Sequence, residues 1–247
     1  MIAMTFNVLC AGRKENHWCR RQPLVLETIK KYAPDVFGIQ EAHYGWMRYI
    51  SSQLRDKYAY VGEGKDDGGI KGEFSPVFYD KNKYELLDSG NFWLSQTPDR
   101  PSLGWDGAEN RTCAYAVLKD KVSCEKFVVA NTHLDHVGRI AMTEGIKLVI
   151  EKTEEFRNVS TVVMGDFNVT PDSDVYKAML DSGFFDSRTI AEKADDINSF
   201  HAFGGNSKMI DFIFVRNVKS VKEVITATDR VNGAMPSDHY PVVAYID

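Results

Sequence analysis

Two polar residues that directly follow an apolar run are the first candidates for chemistry in this chain. Residues 161–164 (TVVM) carry no charge, which is typical of a strand buried on both faces. Gly165 then permits a sharp exit, because it has no Cβ to clash when the backbone turns. Asp166 and Asn168 could face the same side of an extended segment and serve metal, water or phosphate chemistry. An ordinary Asp/Asn turn closed by Pro171 is the alternative.

Several more polar residues stand in the same kind of position, within or at the end of an apolar segment that is typical of a strand. They are Asn7, Glu41, His133, Asp211, Asp238 and His239. Taken alone, each has a structural explanation, such as an amide that anchors a neighbouring loop. Strand ends on one edge of a sheet commonly gather into one crevice, so we expect these side chains to converge.

This set of side chains favours metal-assisted hydrolysis. Carboxylate and amide oxygens without thiolates favour Mg²⁺ or Mn²⁺ over Zn²⁺. His133 and His136 are three residues apart, but the chain has no HExxH motif, so zinc is the weaker option. The sequence also lacks a G-x-S-x-G motif and any Cys that is followed six positions later by Arg. What remains is attack by a metal-activated water, with a His as general base and an Asp that orients it.

The elements that must position these residues are mixed along the chain. We expect helices at residues 21–32, 43–57 and 173–181 and after residue 136, and strands at residues 3–9, 36–41, 77–79, 84–87, 112–118, 126–130, 161–164, 209–215, 220–226 and 241–246. Residues 77–79 and 84–87 are predicted to form a hairpin, and the chain is expected to be irregular between about 182 and 207. With no repeat or linker, the pattern predicts one α/β domain with mixed sheets over residues 1–247.

The composition of the chain limits the kinds of partner and compartment that we expect. The chain has 247 residues, 43% of them hydrophobic, which is enough for a substantial core. Its net charge of −5 counts against a dedicated duplex-binding surface, so nucleic acid is a possible but not a favoured partner. The four cysteines lack CxxC spacing and are interpreted as free thiols in a reducing compartment. No secretory signal and no apolar run of about 20 residues is present, so we expect a cytoplasmic monomer without a membrane span.

Six short motifs then occur in a fixed order. They are TFN at 5–7, QE at 40–41, NTHL at 131–134, GDFN at 165–168, IDFIFV at 210–215 and SDH at 237–239. In this order they resemble the endonuclease/exonuclease/phosphatase superfamily, the DNase I-like group of metal-dependent phosphoesterases. The resemblance extends from residue 5 to residue 239, and six ordered motifs are far more specific than GDFN alone.

The resemblance implies a fold and a metal site. The fold is a four-layer α/β sandwich, in which two mixed β-sheets pack face to face with helices outside. Glu41 resembles the principal ligand of Mg²⁺ or Mn²⁺, with Asn7 and Asp238 close to the metal.

The resemblance also implies catalytic roles. His239 resembles the base that activates water, and Asp211 resembles the residue that orients it. Asp166 and Asn168 resemble the pair that orients water or donates a proton and contacts the phosphate. His133 resembles the second histidine, which stabilises the phosphoryl oxygens.

Two further assignments leave alternatives open. Glu73 lies six residues before Tyr79, in a hairpin where DNase I-like nucleases place a carboxylate partner for the second histidine. A solvated residue after a glycine-rich loop is the alternative for Glu73. Arg111 opens a strand where such enzymes often present a phosphate-binding arginine, and a surface salt bridge is its alternative.

The substrate is the least determined property. The superfamily includes DNA nucleases, RNA deadenylases, inositol-phosphate phosphatases and sphingomyelin phosphodiesterases on one core. The loops that would choose between them, residues 11–20, 62–72, 95–110 and 186–207, are acidic to mixed, and Trp18, Trp93 and Trp105 could wall a pocket. Segments 72–79 and 131–138 resemble uncharacterised bacterial members of the superfamily. These features favour a small-molecule or lipid-headgroup phosphoester, with a nuclease as the alternative. A catalytically inactive phosphate-binding protein is a third reading, but no motif has lost its catalytic residue.

Overall fold

The computed structural model describes residues 1–10, 12 and 16–247, so part of the loop at 11–20 lies outside the described residues. The helices are α1 (Trp18–Tyr32), α2 (Tyr44–Leu54), α3 (Arg139–Glu154), α4 (Asp174–Asp181) and α5 (Ser187–Ile190). The strands are β1 (Ile2–Asn7), β2 (Val36–Gln40), β3 (Ala42–His43), β4 (Tyr58–Val61), β5 (Glu73–Phe74), β6 (Val77–Asp80), β7 (Tyr84–Trp93), β8 (Thr112–Asp120), β9 (Lys126–His133), β10 (Ser160–Asp166), β11 (Phe185–Asp186), β12 (Lys193–Ala194), β13 (Asp211–Arg216), β14 (Val221–Thr226) and β15 (Val242–Ile246). None of the described helices is long and apolar enough to cross a membrane.

Two mixed sheets carry most of the strands. The larger sheet has the order β12-β14-β15-β1-β2-β6-β4, and the smaller one has the order β11-β13-β10-β9-β8-β7. β1 runs parallel to β2, and β9 runs parallel to β10, whereas β15 and β13 join them antiparallel. A separate ribbon pairs β3 with β5.

The layers follow from apolar side chains on both faces of each sheet. Between the sheets, Ala3 and Val36 pack in one cluster with Val129, Met164 and Ile213 from the opposite sheet. The outer face of the larger sheet packs against α1 and α2, and the outer face of the smaller one packs against α3 and α4. The predicted four-layer α/β sandwich of two packed mixed sheets is therefore confirmed.

The run at 161–164 is the buried central strand that its composition predicts. Val162 and Met164 face the core between the sheets, and Val163 packs against the helical layer outside. Gly165 follows with a φ of +155°, and a Cβ there would lie 2.0 Å from the carbonyl oxygen of Thr132. A glycine is required because β9 and β10 approach so closely at this point.

The predicted hairpin of residues 77–79 with residues 84–87 is wrong. β6 pairs with β2 and β4 in the larger sheet, whereas β7 pairs with β8 in the smaller one. Residues 81–83 therefore carry the chain from one sheet to the other, and Lys83 binds Asp35 at 2.5 Å beside this crossing. A turn between two apolar runs marks a change of direction but does not encode which strands then pair. β4 and the short elements at 185–194 were also absent from the predicted set.

A polar link crosses the apolar space between the sheets. Asn131 of β9 is fully buried and donates from Nδ2 to the carbonyl oxygens of Ile39 and Pro76, at 2.9 and 2.8 Å. Its Oδ1 accepts from Gln40 Nε2 at 2.6 Å. Because buried polar groups need partners, this network fixes how the two sheets are placed against each other.

Replacing Asn131 should therefore destabilise the fold strongly. In Asn131→Ala, two buried carbonyl oxygens lose their donor, and we expect the free energy of unfolding to fall by about 2–5 kcal/mol. Urea denaturation followed by circular dichroism measures the change. Asn91→Ala is the matched control, because the buried amide atoms of Asn91 have no hydrogen-bond partner among the described residues. An equal loss in both variants would show that the link contributes nothing specific.

Candidate active site

Strand register brings the predicted site residues to one edge. In the smaller sheet Asp166 is paired with His133 on β9 and with Asp211 on β13. In the larger sheet Asn7 is paired with Gln40, so that Glu41 follows at the same edge. Asp238 and His239 come just before β15, which pairs with β1. The expected convergence of polar strand ends is what the structure shows.

Asn7 connects the carboxylates of the two sheets. Its Nδ2 donates to Glu41 Oε1 and to Asp166 Oδ2, both at 2.9 Å, and its Oδ1 accepts from Leu9 N at 2.9 Å. The second oxygen of Glu41 accepts from Cys10 N at 2.9 Å. Asn7 thus turns its N–H₂ group towards the carboxylates, so its contribution to a metal site would pass through Glu41.

The backbone is strained where the strands end. Leu9, Glu41 and Asn168 all have positive φ, at 56°, 59° and 53°. Non-glycine residues in this region each cost about 1 kcal/mol or more and require support from their surroundings. Part of that support is the buried Arg21, whose Nη2 donates to the Leu9 carbonyl at 2.6 Å and whose Nη1 donates to that of Val8. The prediction that residues 166–168 are extended is wrong. Asn168 N donates to Asp166 Oδ1 at 2.9 Å, which is the Asp/Asn turn given as the alternative.

His239 lies between two buried aspartates. Its Nδ1 is 2.8 Å from Asp211 Oδ2, and its Nε2 is 3.8 Å from Asp166 Oδ2. Burial lowers the pKa of His239, but the negative charges of Asp211, Asp166 and Asp238 outweigh it and raise the pKa to about 10. Burial and the charge of Asp211 raise the pKa of Asp166 to about 7. In the metal-free site His239 is therefore protonated at neutral pH, whereas Asp166 exchanges its proton close to neutrality, and a cation nearby would lower the pKa of both groups.

The second histidine is held by an arginine. Nδ1 of His133 is 2.9 Å from Arg111 Nη1, and its Nε2 is 3.1 Å from Asn168 Nδ2 and 3.6 Å from Asp166 Oδ2. Burial, followed by the positive charges of Arg111 and Lys65, holds the pKa of His133 well below its usual value. His133 is thus a neutral ring at neutral pH.

Glu73 does not take its expected place beside His133. Its Oε2 binds Lys65 Nζ at 2.8 Å, and the same ammonium binds Glu109 Oε2 at 2.5 Å. The ring nitrogens of His133 lie next to Arg111 and Asn168 instead, and the carboxylate of Glu73 is paired with Lys65. Glu73 also lies in the β3–β5 ribbon rather than in a hairpin with β7.

These groups surround one cavity of about 460 Å³. Six of its lining residues are not among the predicted site residues: Cys10, Glu109, His136, Phe200, Lys208 and Ile210. They lie outside the named helices and strands, and only Ile210, next to Asp211, belongs to one of the six family motifs. His136, considered only as a weak zinc ligand, also lines the cavity and offers its Nδ1 to Arg111 at 3.0 Å. A guanidinium between two imidazoles leaves no place for a zinc ion there.

The tryptophans fill different roles. Trp93 is buried and donates from Nε1 to the Lys65 carbonyl at 2.6 Å. Trp18 packs edge-on against His43, with ring centroids 4.5 Å apart, and lines a neighbouring pocket of about 420 Å³ that shares Cys10 and Glu73 with the main cavity. Trp18 therefore lines a pocket that adjoins the site, as predicted for a wall residue.

Comparison with known proteins gives the family. A model described as the Endonuclease/Exonuclease/phosphatase family matches residues 4–239, and the chain belongs to this family. The family is typically dependent on a divalent metal, and a buried Asp166–Asp211–His239 cluster is present here. The predicted resemblance is thereby confirmed.

Solved structures and curated relatives extend the likeness. An endonuclease/exonuclease/phosphatase from Bacteroides vulgatus is 35% identical with a TM-score of 0.94, covering 100% of this chain and 98% of that chain. A mannosyl-6-phosphatase from Bacteroides thetaiotaomicron is 32% identical with a TM-score of 0.93, covering 100% and 99%. A probable RNA exonuclease from Saccharomyces cerevisiae is 25% identical over 66% of this chain and 34% of its own length. The chain spans about half the length of the first curated relatives it matches.

The charge of Asp211 should control the protonation of His239. In the metal-free protein, NMR titration of the ring should give a pKa of about 10. Asp211→Asn removes the charge that favours the imidazolium, so the pKa of His239 should fall and the ring should lose its proton at lower pH. Asp186→Asn, another buried aspartate, is the control and should leave the titration of His239 unchanged. An unaltered pKa in Asp211→Asn would contradict the assignment.

Proposed function

We propose that this member of the family is a Mg²⁺- or Mn²⁺-dependent phosphoesterase that hydrolyses a small-molecule phosphoester with a water activated by His239. The observation that carries the proposal is the shared cavity. It brings the buried pair of Asp211 and His239 beside carboxylates that suit a cation and beside the donors His133 and Asn168.

The oxygen donors fit a hard divalent cation. Glu41 and Asp238 both line the cavity, and burial, with the nearby charge of Glu41, raises the pKa of Asp238. Burial and the charges of Glu41 and Glu73 raise the pKa of the neighbouring Cys10 thiol, and sulfur is a softer donor than Mg²⁺ or Mn²⁺ prefers. When bound, the cation would neutralise negative charge on the phosphoryl oxygens and lower the pKa of a water.

His239 is assigned as the general base. Asp211 accepts from Nδ1, which leaves Nε2 to take the proton of the attacking water and stabilises the imidazolium that forms. Asp166, which receives hydrogen bonds from Asn7 and from the backbone of Asn168, orients the water or transfers a proton to the leaving oxygen. On the other side, His133 and Asn168 Nδ2 are placed to donate to the non-bridging oxygens as charge builds on them.

The cavity supports a small substrate. Its volume of about 460 Å³ is within the usual range for small-ligand sites. Glu73 and Glu109 at its wall suit hydroxyl groups better than a polyanionic backbone. The 32%-identical mannosyl-6-phosphatase supports a sugar phosphate as the substrate class. An RNA exonuclease is the second candidate, on the strength of the 25%-identical yeast relative. The cytoplasmic location and the monomeric state stay predictions.

Cation dependence tests the metal assignment. A chelator should abolish phosphoester hydrolysis, and added Mg²⁺ or Mn²⁺ should restore it. Glu41→Gln should raise the cation concentration for half-maximal rate by about tenfold or more, since ligand charge sets the affinity of oxygen sites for divalent cations. Glu151→Gln on the exposed face of α3 is the control and should behave as the wild type. Full activity in the presence of chelator would rule out the metal.

A substrate panel tests the preference for a small molecule. Hexose 6-phosphates, inositol phosphates, a bis-aryl phosphodiester, plasmid DNA, abasic DNA and poly(A) are compared with each cation. We expect a phosphorylated sugar or polyol to be hydrolysed fastest, and His239→Ala to reduce that rate by about 10²–10⁴-fold, as loss of a general base does. Rapid shortening of poly(A) or nicking of plasmid, abolished by the same substitution, would make the protein a nuclease instead.

A further inference from the structure

The guanidinium of Arg111 lies between two imidazoles of the cavity wall. Nη1 is 2.9 Å from His133 Nδ1, and Nη2 is 3.0 Å from His136 Nδ1. Arg111 itself is buried, whereas His136 is exposed on the side of the cavity. One cation therefore approaches both rings through the same ring nitrogen.

This contact decides which nitrogen of each ring carries hydrogen. Arginine has only N–H donors and keeps its charge in proteins, so the Nδ1 atoms of His133 and His136 must both accept. A neutral imidazole has one acceptor and one N–H, so the hydrogen of each ring is on Nε2. The strongly lowered pKa of the buried His133 agrees with a neutral ring.

At His133 the consequence is two donors that face each other. Nε2 is 3.1 Å from Asn168 Nδ2, which already donates to the Leu134 carbonyl at 3.0 Å. With its proton on Nε2, His133 cannot accept from Asn168, and Asp166 Oδ2 is 3.6 Å away. An anionic oxygen near both atoms would accept from both, and a phosphoryl group supplies one.

At His136 the Nε2–H group is open to a ligand. Nε2 has no hydrogen-bond partner among the described residues, and the ring lines the cavity together with Glu109. The carboxylate of Glu109 is held through Oε2 by Lys65 Nζ at 2.5 Å. Asp135 fixes both segments, because its Oδ2 accepts from Glu109 N at 3.3 Å and its Oδ1 from Val137 N at 2.8 Å. An N–H donor and a carboxylate acceptor on one wall suit a hydroxyl group, which both donates and accepts.

We infer that Arg111 is a positioning residue that fixes His133 and His136 as Nε2–H donors, and that His136 and Glu109 bind hydroxyls of the leaving group. The substrate class is then a phosphorylated polyol or sugar rather than an aryl or alkyl ester. The hydroxyl contact rests on the proposed phosphoesterase function, whereas the ring tautomers do not.

The tautomers are tested by ¹⁵N NMR of the histidine rings in the metal-free protein at mildly alkaline pH. In the wild type, His133 and His136 should both show the Nε2–H pattern. Arg111→Gln should let both rings mix tautomers, because a glutamine side chain can also accept. His43 is the internal control, since its Nδ1 accepts from Gly45 N at 3.0 Å independently of Arg111. An Nδ1–H or mixed pattern for His136 in the wild type would overturn the inference.

The hydroxyl contact is tested by comparing two esters in the metal-loaded enzyme. Hexose 6-phosphate has hydroxyls on the leaving group, and 4-nitrophenyl phosphate has none. His136→Ala and Glu109→Ala should each lower kcat/KM for the sugar ester by about tenfold more than for the aryl ester, the effect of one lost hydrogen bond to a ligand. Val137→Ala, an exposed neighbour, is the matched control and should keep the wild-type ratio.

The outcomes separate the two proposals. A wild-type enzyme that hydrolyses neither ester contradicts the proposed function and the hydroxyl contact with it, while the NMR result still decides the role of Arg111. An active enzyme whose ester ratio is the same in His136→Ala, Glu109→Ala and Val137→Ala overturns the hydroxyl contact and leaves the phosphoesterase assignment standing.

Discussion

The amide of Asn7 is the constraint on which the rest of the site depends. It extends from the larger sheet, and its Nδ2 reaches Glu41, which directly follows β2 of that sheet, and Asp166 in the smaller sheet. A buried carboxylate is costly without donors, and Asn7 supplies one to Oδ2 of Asp166 while Asn168 N supplies one to Oδ1. Leu9 N fixes the amide oxygen, and Ser237 Oγ donates to the Asn7 carbonyl at 2.7 Å, which brings the segment of Asp238 and His239 to the same edge. The packing of the two sheets thereby sets the distances between the side chains of the candidate active site.

Charge is distributed unevenly over the cavity. Inside, His239 faces the carboxylates of Asp211 and Asp166, and negative groups outnumber positive ones. At the wall the charges alternate, since Lys65 lies between Glu73 and Glu109, and Arg111 follows at 3.9 Å from Glu109. A phosphate would be repelled by the inner carboxylates alone, which agrees with the divalent-metal dependence that is typical of the family. Because the positive and negative charges at the wall balance, we expect hydrogen bonds rather than net charge to select the substrate.

The inner residues of this site could be predicted from the sequence, but most of the loop residues that line its wall could not. Asn7, Glu41, His133, Asp166 and His239 stand at the ends of apolar segments, and sheet register alone brings such positions together, so their convergence could be predicted. The partner of Glu73 could not, because it depends on the path of the loop at 62–72, which places Lys65 rather than His133 beside it. The crossing at residues 81–83 was missed for a similar reason, since a turn does not encode which sheet the next strand joins. Local pattern determines elements and their ends, while pairings between loops arise only from the assembled fold.

Membership of the family does not determine these contacts between loops, and we expect the loops to select the substrate. Trp93 Nε1 binds the Lys65 carbonyl, Lys65 binds Glu109, and Asp135 holds both the Glu109 backbone and the segment of His136. These contacts connect the two loops, so a change in either loop would move both Glu109 and His136. The fold is shared with the mannosyl-6-phosphatase from Bacteroides thetaiotaomicron, but a shared fold does not by itself determine these loop contacts. We therefore expect the substrate preference of this chain to depend on how Arg111, Lys65 and Asp135 hold these loops, and Arg111 also connects them to the proposed phosphate site because it contacts His133.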